Sequence, residues 1–355
     1  MAIEGIPQTM LAAQLVQYDK PYEIREVPTP NSLSAHDMLI RVAVASLCHT
    51  DGMVTAGIFK TSLPCTASHE GAGTVAALGS NVNEFHIGDR VLCGLAYGRC
   101  GMCADCTGPE ESTQYCTKSG EYVVVDAREA NLLPGNLSFQ SAAPLACAGT
   151  TIWSGIVRAE LKPGEWLAIV GAGGGLGHLG VQMAKAQGLN VIGIDTRDEG
   201  LAFSTSCGAH TIDARNGKES VVAQVQALTG GAGVDATVNV SDANSAAGLS
   251  AAVTKMHGRM VQIAQPPEVS IPFAELVFRD VRVVGSLTSS RGEAQKMLQL
   301  VAKHNIKVHT VPFDGLAEIQ KCVELAHSGK LVGKGVILID KEAVENDEKS
   351  DNVTI

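Results

Sequence analysis

The sequence has no cluster of basic residues. Its 27 Lys and Arg are outnumbered by 37 Asp and Glu, and the net charge of −10 is spread along the chain. Nucleic acid is therefore not an expected partner. No uninterrupted apolar stretch is long enough to span a bilayer, so no membrane is expected either. The opening MAIEGIPQTM has neither the basic start nor the apolar run of a secretory signal, which makes the cytoplasm the expected compartment. No internal repeat of solenoid type is present. In a cytoplasmic chain the ten cysteines are then expected to be thiols and metal ligands rather than disulfides.

What is present is a globular composition. With 355 residues, 45% of them apolar, the chain can build two real cores. Its organising stretch runs from Trp166 to Asp195. An apolar run of strand length, WLAIV, ends at Gly171. A glycine-rich turn follows, and then Leu176, Leu179, Val181, Met183 and Ala184 recur roughly as one helix face. Gly188 closes that helix, and a second apolar run ends on Asp195. This strand–turn–helix–strand unit with a distal acid is the arrangement that holds a dinucleotide. Gly171 sits at the sharp turn, Gly174 lets the backbone approach a pyrophosphate, and Gly177 lets the helix pack on the strand. Gly175 and Leu176 complete the cofactor-facing turn. Asp195 can accept both ribose hydroxyls and would repel a 2′-phosphate, so NAD is expected over NADP, with Arg197 the one dissenting residue.

Residues 1–150 read as β-rich, with apolar runs at 38–45, 73–78 and 90–92 between turn residues. From about Ser138 the pattern changes. Six strand-like runs, at 166–170, 190–194, 210–213, 236–240, 259–264 and 282–287, alternate with helical stretches such as 218–229 and 243–255. This predicts a doubly wound parallel sheet with ligands beyond the strands' carboxyl ends. A helix at 292–304, a short strand, a helix at 314–328 and a strand at 333–339 are expected to pack back on the first domain. The boundaries are thus 1–150 completed by 291–340, then 151–290. The acidic stretch 341–355 is expected to be disordered.

The first domain carries the chemistry. Cys48-His49-Thr50-Asp51 follows an apolar strand, His69-Glu70 precedes Gly71-Ala72-Gly73, and Cys147 stands in PLACAG. Cys48, His69 and Cys147 could give one zinc two thiolates and an imidazole, leaving a fourth position for substrate, as in a catalytic site. Each taken singly is equally a core residue. Cys100, Cys103, Cys106 and Cys116 form a denser cluster, read as a closed four-thiolate zinc site; a redox pair or plain thiols are the alternatives.

With CHTD, SHEGAG, the four-cysteine loop, ACAG, GGLG and the acid of GID, the chain resembles the zinc-dependent alcohol dehydrogenases of the medium-chain dehydrogenase/reductase superfamily, nearest the microbial, yeast-type branch. The resemblance covers about residues 8 to 340. It implies a GroES-like catalytic domain plus a Rossmann domain, with the active site in the cleft between them. It makes Cys48, His69 and Cys147 the ligands of a catalytic zinc, which Glu70 approaches transiently, and gives two zincs per subunit. Asp51 would orient His69. Thr50 would hydrogen-bond the substrate oxygen and pass its proton. His49 and Lys334 would meet the pyrophosphate. Thr151, Ile263, Gln265, Ser286 and Thr288 would line the nicotinamide side.

Such an enzyme exchanges a hydride between NAD(H) and a small-molecule alcohol, aldehyde or ketone, and the resemblance implies a homo-oligomer, a tetramer or dimer. The chain departs from the pattern in three ways: nine residues rather than seven before Cys116, a shorter segment after it, and Met53 where a proton-carrying His is common. Phe59 and Leu95 fall where bulky aromatics narrow the pocket for small alcohols, so substrates larger than ethanol are expected. The alternatives are a zinc-independent enoyl reductase and a non-catalytic NADH-binding protein on the same fold.

Overall fold

A computed structural model of the protein describes residues 5–95, 97–98, 102–108 and 124–350. The chain divides into two compact units. One comprises Met1–Ala148, Ser290–Ala302 and Val308–Ile355; the other comprises Gly149–Ser289 and Lys303–Lys307. No helix among the described residues is long and apolar enough to cross a membrane.

The first unit is β-rich. In its seven-stranded sheet the strands run in the order Thr310–Asp314, Lys334–Leu338, Asp37–Ser46, Glu70–Leu78, Arg90–Leu92 and Asn131–Leu132, with Val124–Asp126 paired to Asp37–Ser46. Met38, Ile40, Val75, Phe85 and Val91 fill its core. Strand Asp37–Ser46 is central. It pairs antiparallel on one side with Glu70–Leu78, setting Ser46 opposite Glu70, and on the other with Lys334–Leu338, setting Val336 opposite Ser46. That register gathers Cys48, His69, Glu70 and Lys334 at one end of three adjacent strands. Gly73 is needed within it, because a Cβ there would lie 2.2 Å from the Arg41 carbonyl oxygen.

The second unit is a parallel sheet in the order His210–Asp213, Asn190–Asp195, Trp166–Val170, Val234–Asn239, Thr254–Gln262, Arg282–Gly285. Counted along the chain this is 3-2-1-4-5-6, the doubly wound Rossmann order, with the order reversing at Trp166–Val170. Ile192, Ile194, Ile212, Val221 and Val225 pack against Ala168 and Val170. The six predicted strands are all present, 166–170 and 210–213 with the expected ends and the others with shifted ones. Strand Thr254–Gln262 begins earlier than expected and shortens the preceding helix to Ala246–Val253. Thr254 turns extended there, and its hydroxyl reaches the Ser250 carbonyl at 2.8 Å.

No long helical period is visible before about residue 138, and the helix His49–Thr55 is consistent with that, since seven residues are too few to show one. The Asp51 carboxylate stabilises the helix start by accepting the Cys48 N–H at 2.8 Å. The acidic stretch after 340 is not disordered throughout, since Lys341–Ser350 forms a helix. Composition alone missed its two buried anchors, Val344 and Asp347.

Candidate metal and cofactor sites

Asp51 is buried at the start of helix His49–Thr55 and contacts two of the candidate ligands at once. Its Oδ2 accepts the Cys48 N–H at 2.8 Å, and its Oδ1 lies 3.3 Å from His69 Nδ1. The imidazole is thereby turned so that Nε2 is left for a metal. Cys147 arrives from the other side. A short helix, Phe139–Ala142, continues into a 3₁₀ turn, Ala143–Ala146, which packs on strands Asp37–Ser46 and Glu70–Leu78 and ends at Cys147. Its Sγ lies 3.9 Å from that of Cys48. Candidate ligand atoms of Cys48, His69, Glu70 and Cys147 all fall within 4.8 Å of one another.

The electrostatics suit a soft divalent cation. The Cys147 thiol hydrogen-bonds Cys48 and holds it well below the usual thiol range against the opposing effect of burial, with His69 and Lys334 assisting. Cys147, the partner in that bond, is pushed up. For His69, burial works to lower the pKa, but Asp51 and Cys48 together raise it well above its ordinary value. Two sulfurs on one tetrahedral zinc, each at about 2.3 Å, stand about 3.8 Å apart, close to the spacing here. The donor set therefore fits zinc.

Glu70 and Lys334 form a buried ion pair behind the thiols. Lys334 Nζ donates to Glu70 Oε1 at 3.0 Å, lies 2.8 Å from Oε2, and donates to the Leu47 carbonyl at 2.7 Å. Burial pushes the Glu70 carboxyl up to about 7 against the pull of Lys334. Burial would lower the Lys334 ammonium, but Glu70 outweighs it and holds it above its usual range. Lys334, expected beside a pyrophosphate, is thus also bonded to Glu70, a partner 264 positions away that no local signal announces.

In the same unit His49 is exposed, while Thr50 and Met53 are half-buried on their helix. Phe59 is exposed and Leu95 half-buried. Of the four cysteines expected in a second zinc site, Cys103 and Cys106 lie on the turn 102–108; Cys100 and Cys116 lie outside the described residues.

The glycine-rich turn of the second unit has the shape a dinucleotide needs. Gly171 has φ +89°, and a Cβ on Gly177 would sit 2.3 Å from the Gly171 carbonyl. At Gly174 a Cβ would meet only that carbonyl, at 3.4 Å, and otherwise point into open space. Gly175 and Leu176 are half-buried beside it. Asp195 ends its strand buried, with Oδ2 accepting the Gly173 N–H at 2.9 Å and Oδ1 accepting those of Thr196 at 2.8 Å and Arg197 at 3.1 Å. Arg197 Nε stands 3.4 Å from the same Oδ1.

His178 was not singled out by the sequence. It is buried behind the turn, with Nδ1 3.1 Å from the Gly174 carbonyl and its ring stacked on Phe203. The remaining expected cofactor residues all sit on this unit. Ile263 and Gln265 follow strand Thr254–Gln262, and Ser286 and Thr288 follow strand Arg282–Gly285, both beyond carboxyl ends. Ser286 donates to the Ser154 hydroxyl, and the Thr288 and Thr150 hydroxyls are 3.1 Å apart. Thr151 is half-buried on helix Ala148–Ala159.

Comparison with known proteins agrees with this geometry. Residues 34–135 match the alcohol dehydrogenase GroES-like domain, and residues 175–303 match the zinc-binding dehydrogenase family. An alcohol dehydrogenase of Geobacillus stearothermophilus is 33% identical over 351 residues, covering 93% of this chain and 100% of that protein. One of Rhizobium meliloti is 31% identical, covering 93% and 98%. The crystal structure of the alcohol dehydrogenase of Aeropyrum pernix superposes with a TM-score of 0.83 at 28% identity, over 93% of this chain and 100% of that one. The chain, with its β-rich GroES-like unit and its Rossmann unit, is an oxidoreductase and belongs to the zinc-type alcohol dehydrogenases of the medium-chain dehydrogenase/reductase superfamily.

Proposed function

We propose that this alcohol dehydrogenase transfers a hydride between an alcohol, or the matching aldehyde or ketone, and NAD(H), with a zinc held by Cys48, His69 and Cys147. The observation that carries the reading is the convergence of those donors within 4.8 Å at one end of the sheet. Bound there, zinc would supply Lewis acidity at the substrate oxygen. Nicotinamide supplies the hydride chemistry.

The chain's own residues do the rest. Asp51 fixes the tautomer and direction of His69. Thr50, one helical step past His49, hydrogen-bonds the substrate oxygen and passes its proton outward. Met53 carries no proton, so water takes it from there. Glu70, paired with Lys334, would be the carboxylate nearest to that zinc. Asp195 receives the adenosine ribose, and His49 lies toward the pyrophosphate. Thr151, Ile263, Gln265, Ser286 and Thr288 line the nicotinamide side. The second zinc belongs to Cys100, Cys103, Cys106 and Cys116. The enzyme works in the cytoplasm as a homo-oligomer, and Leu95 leaves room for alcohols larger than ethanol.

The test is NADH absorbance across an alcohol chain-length series, with metal analysis before and after a chelator. Two zincs per subunit, a maximum beyond ethanol and activity lost on chelation are the expected results. Chelator-insensitive turnover would instead fit a zinc-independent reductase, and no turnover a binding protein.

Cofactor choice gives a separate prediction. Asp195→Asn keeps an acceptor for the Gly173 N–H but removes the charge. The NAD-to-NADP ratio of kcat/KM should fall by roughly tenfold or more, about 1.4 kcal/mol. Asp195→Gly should relax the preference too, and also loosen the turn. An unchanged ratio in Asp195→Asn would show that Arg197 already cancels the acid.

A further inference from the structure

The helix Lys341–Ser350 lies past the end of the motif resemblance near residue 340, yet it is built into the unit that carries the metal cluster. Asp340 opens it. The Ile339 and Asp340 N–H groups both donate to the Ala43 carbonyl, at 2.9 and 3.1 Å. Asp340 Oδ1 accepts the Ala343 N–H at 3.1 Å, and Oδ2 pairs with Arg41 Nε at 2.7 Å. Further along, Val344 is buried, and so is the carboxylate of Asp347. Asp347 Oδ1 lies 2.7 Å from Arg90 Nη2, and Oδ2 accepts the Phe139 N–H at 2.8 Å. The helix thus packs on strand Asp37–Ser46 and on helix Phe139–Ala142. Those are the elements that deliver Cys48 and Cys147.

A polar tail has no need of a buried carboxylate. Removing one from water is costly unless it is paired and hydrogen-bonded, and Asp347 is both. The Phe139 N–H is one of the donors that a helix start leaves without an internal partner. Ser138 takes the Ser141 N–H, and Asp347 takes that of Phe139. Arg90 is itself fixed, donating to the Pro134 and Leu137 carbonyls with its guanidinium 5.0 Å from the Phe139 ring centre. The approach to Phe139 is therefore held at three points. Beyond it the backbone is helical as far as Ala146, and Phe139, Ala142, Ala143, Leu145 and Ala146 are buried. A short buried rod anchored at its start fixes the residue at its end, and a metal ligand must be held to within about 0.5 Å.

We infer that helix Lys341–Ser350 is a strap that sets the position of Cys147, and that Asp347 is the positioning residue through which it acts. This rests on Cys147 being a metal ligand. The test compares the full-length protein, its Asp347→Asn variant and a chain ending at Asp340, each as isolated and after dialysis against a chelator. Iodoacetamide alkylation of Cys147, Cys65 and Cys322 is followed by peptide mass spectrometry; the last two lie in the same unit, on strand Cys65–Thr66 and helix Ile319–His327, apart from the elements the strap packs on. In Asp347→Asn the Cys147 rate should rise by about tenfold, and in the shortened chain further, with Cys65 and Cys322 unchanged. Zinc release to the chelator should quicken in parallel. An unchanged Cys147 rate in Asp347→Asn overturns the proposal, and so does an equal rise at all three thiols, which means general loosening. Failure of the ligand reading looks different: chelation would then leave the wild-type Cys147 rate where it was.

Discussion

Cys147→Ala should lower kcat/KM for alcohol oxidation by at least about 10³-fold while leaving the fold in place. The reasoning starts from the donor set. Removing one sulfur leaves Cys48 and His69, too few to hold a metal in a tetrahedral site with a position for substrate. Losing Lewis acidity at the reacting oxygen costs several kcal/mol of transition-state stabilisation, and each 1.36 kcal/mol is tenfold in rate. The fold is expected to survive because Ala146 and Ala148, on either side, are already buried small residues, so another methyl is tolerated. Metal analysis, circular dichroism and steady-state kinetics together check this. Cys322→Ala is the control, since Cys322 is fully buried in the same unit, packs beside Gly335 and is not one of the gathered donors. Activity within tenfold of wild type in Cys147→Ala would remove Cys147 from the metal site.

Lys334→Met should be the most destabilising single change among the site residues. Lys334 and Glu70 are both buried, at 5% and 0% exposure, and their charges answer each other. Removing the ammonium strands a carboxylate in the interior and frees the Leu47 carbonyl. Breaking such a pair costs about 3–5 kcal/mol. For a chain of this size that lowers Tm by roughly 4–7 °C. Replacing both partners, with Lys334→Met and Glu70→Leu together, should recover most of the loss, because an apolar pair of similar volume has no desolvation cost to offset. Thermal melts of the three variants decide it. A single variant melting within about 2 °C of wild type would show that Lys334 does not hold Glu70.

How much of this was legible beforehand depends on distance along the chain. The turn after Trp166–Val170 was legible because its requirements are local. A positive φ at Gly171, a close backbone approach at Gly177 and an acid ending the next strand all lie within thirty residues. The alternation of strands and helices after 166 was equally plain, and handedness rules then leave few sheet orders. Cys48, His69 and Cys147 stood out as candidate donors for the same reason, because each lies in a short motif, and the structure gathers them. Local reading is silent where a side chain bonds to a distant partner. Nothing near Lys334 in the chain announces its pairing with Glu70. The acidic stretch after 340 looked unstructured, but Val344 and Asp347 find buried partners. The short helix at His49–Thr55 depends on Asp51, whose role as a cap is visible only once Cys48 and His69 stand beside it.

By itself the sequence determined which residues could do chemistry and the local conformations that present them, because glycine-rich turns, caps and hydrophobic periods act over a few residues. Only the tertiary structure decided that these residues meet. Cys48 and Cys147 are 99 positions apart, and they approach because antiparallel pairing sets Ser46 against Glu70 and Val336, and because a buried helical segment carries Cys147 to the same end of the sheet. Strand register is fixed by which face each side chain can bury, and a slip of one residue would turn every side chain of the strand to the other face and undo that gathering. That choice is made by the packed core and not by any stretch of the chain alone.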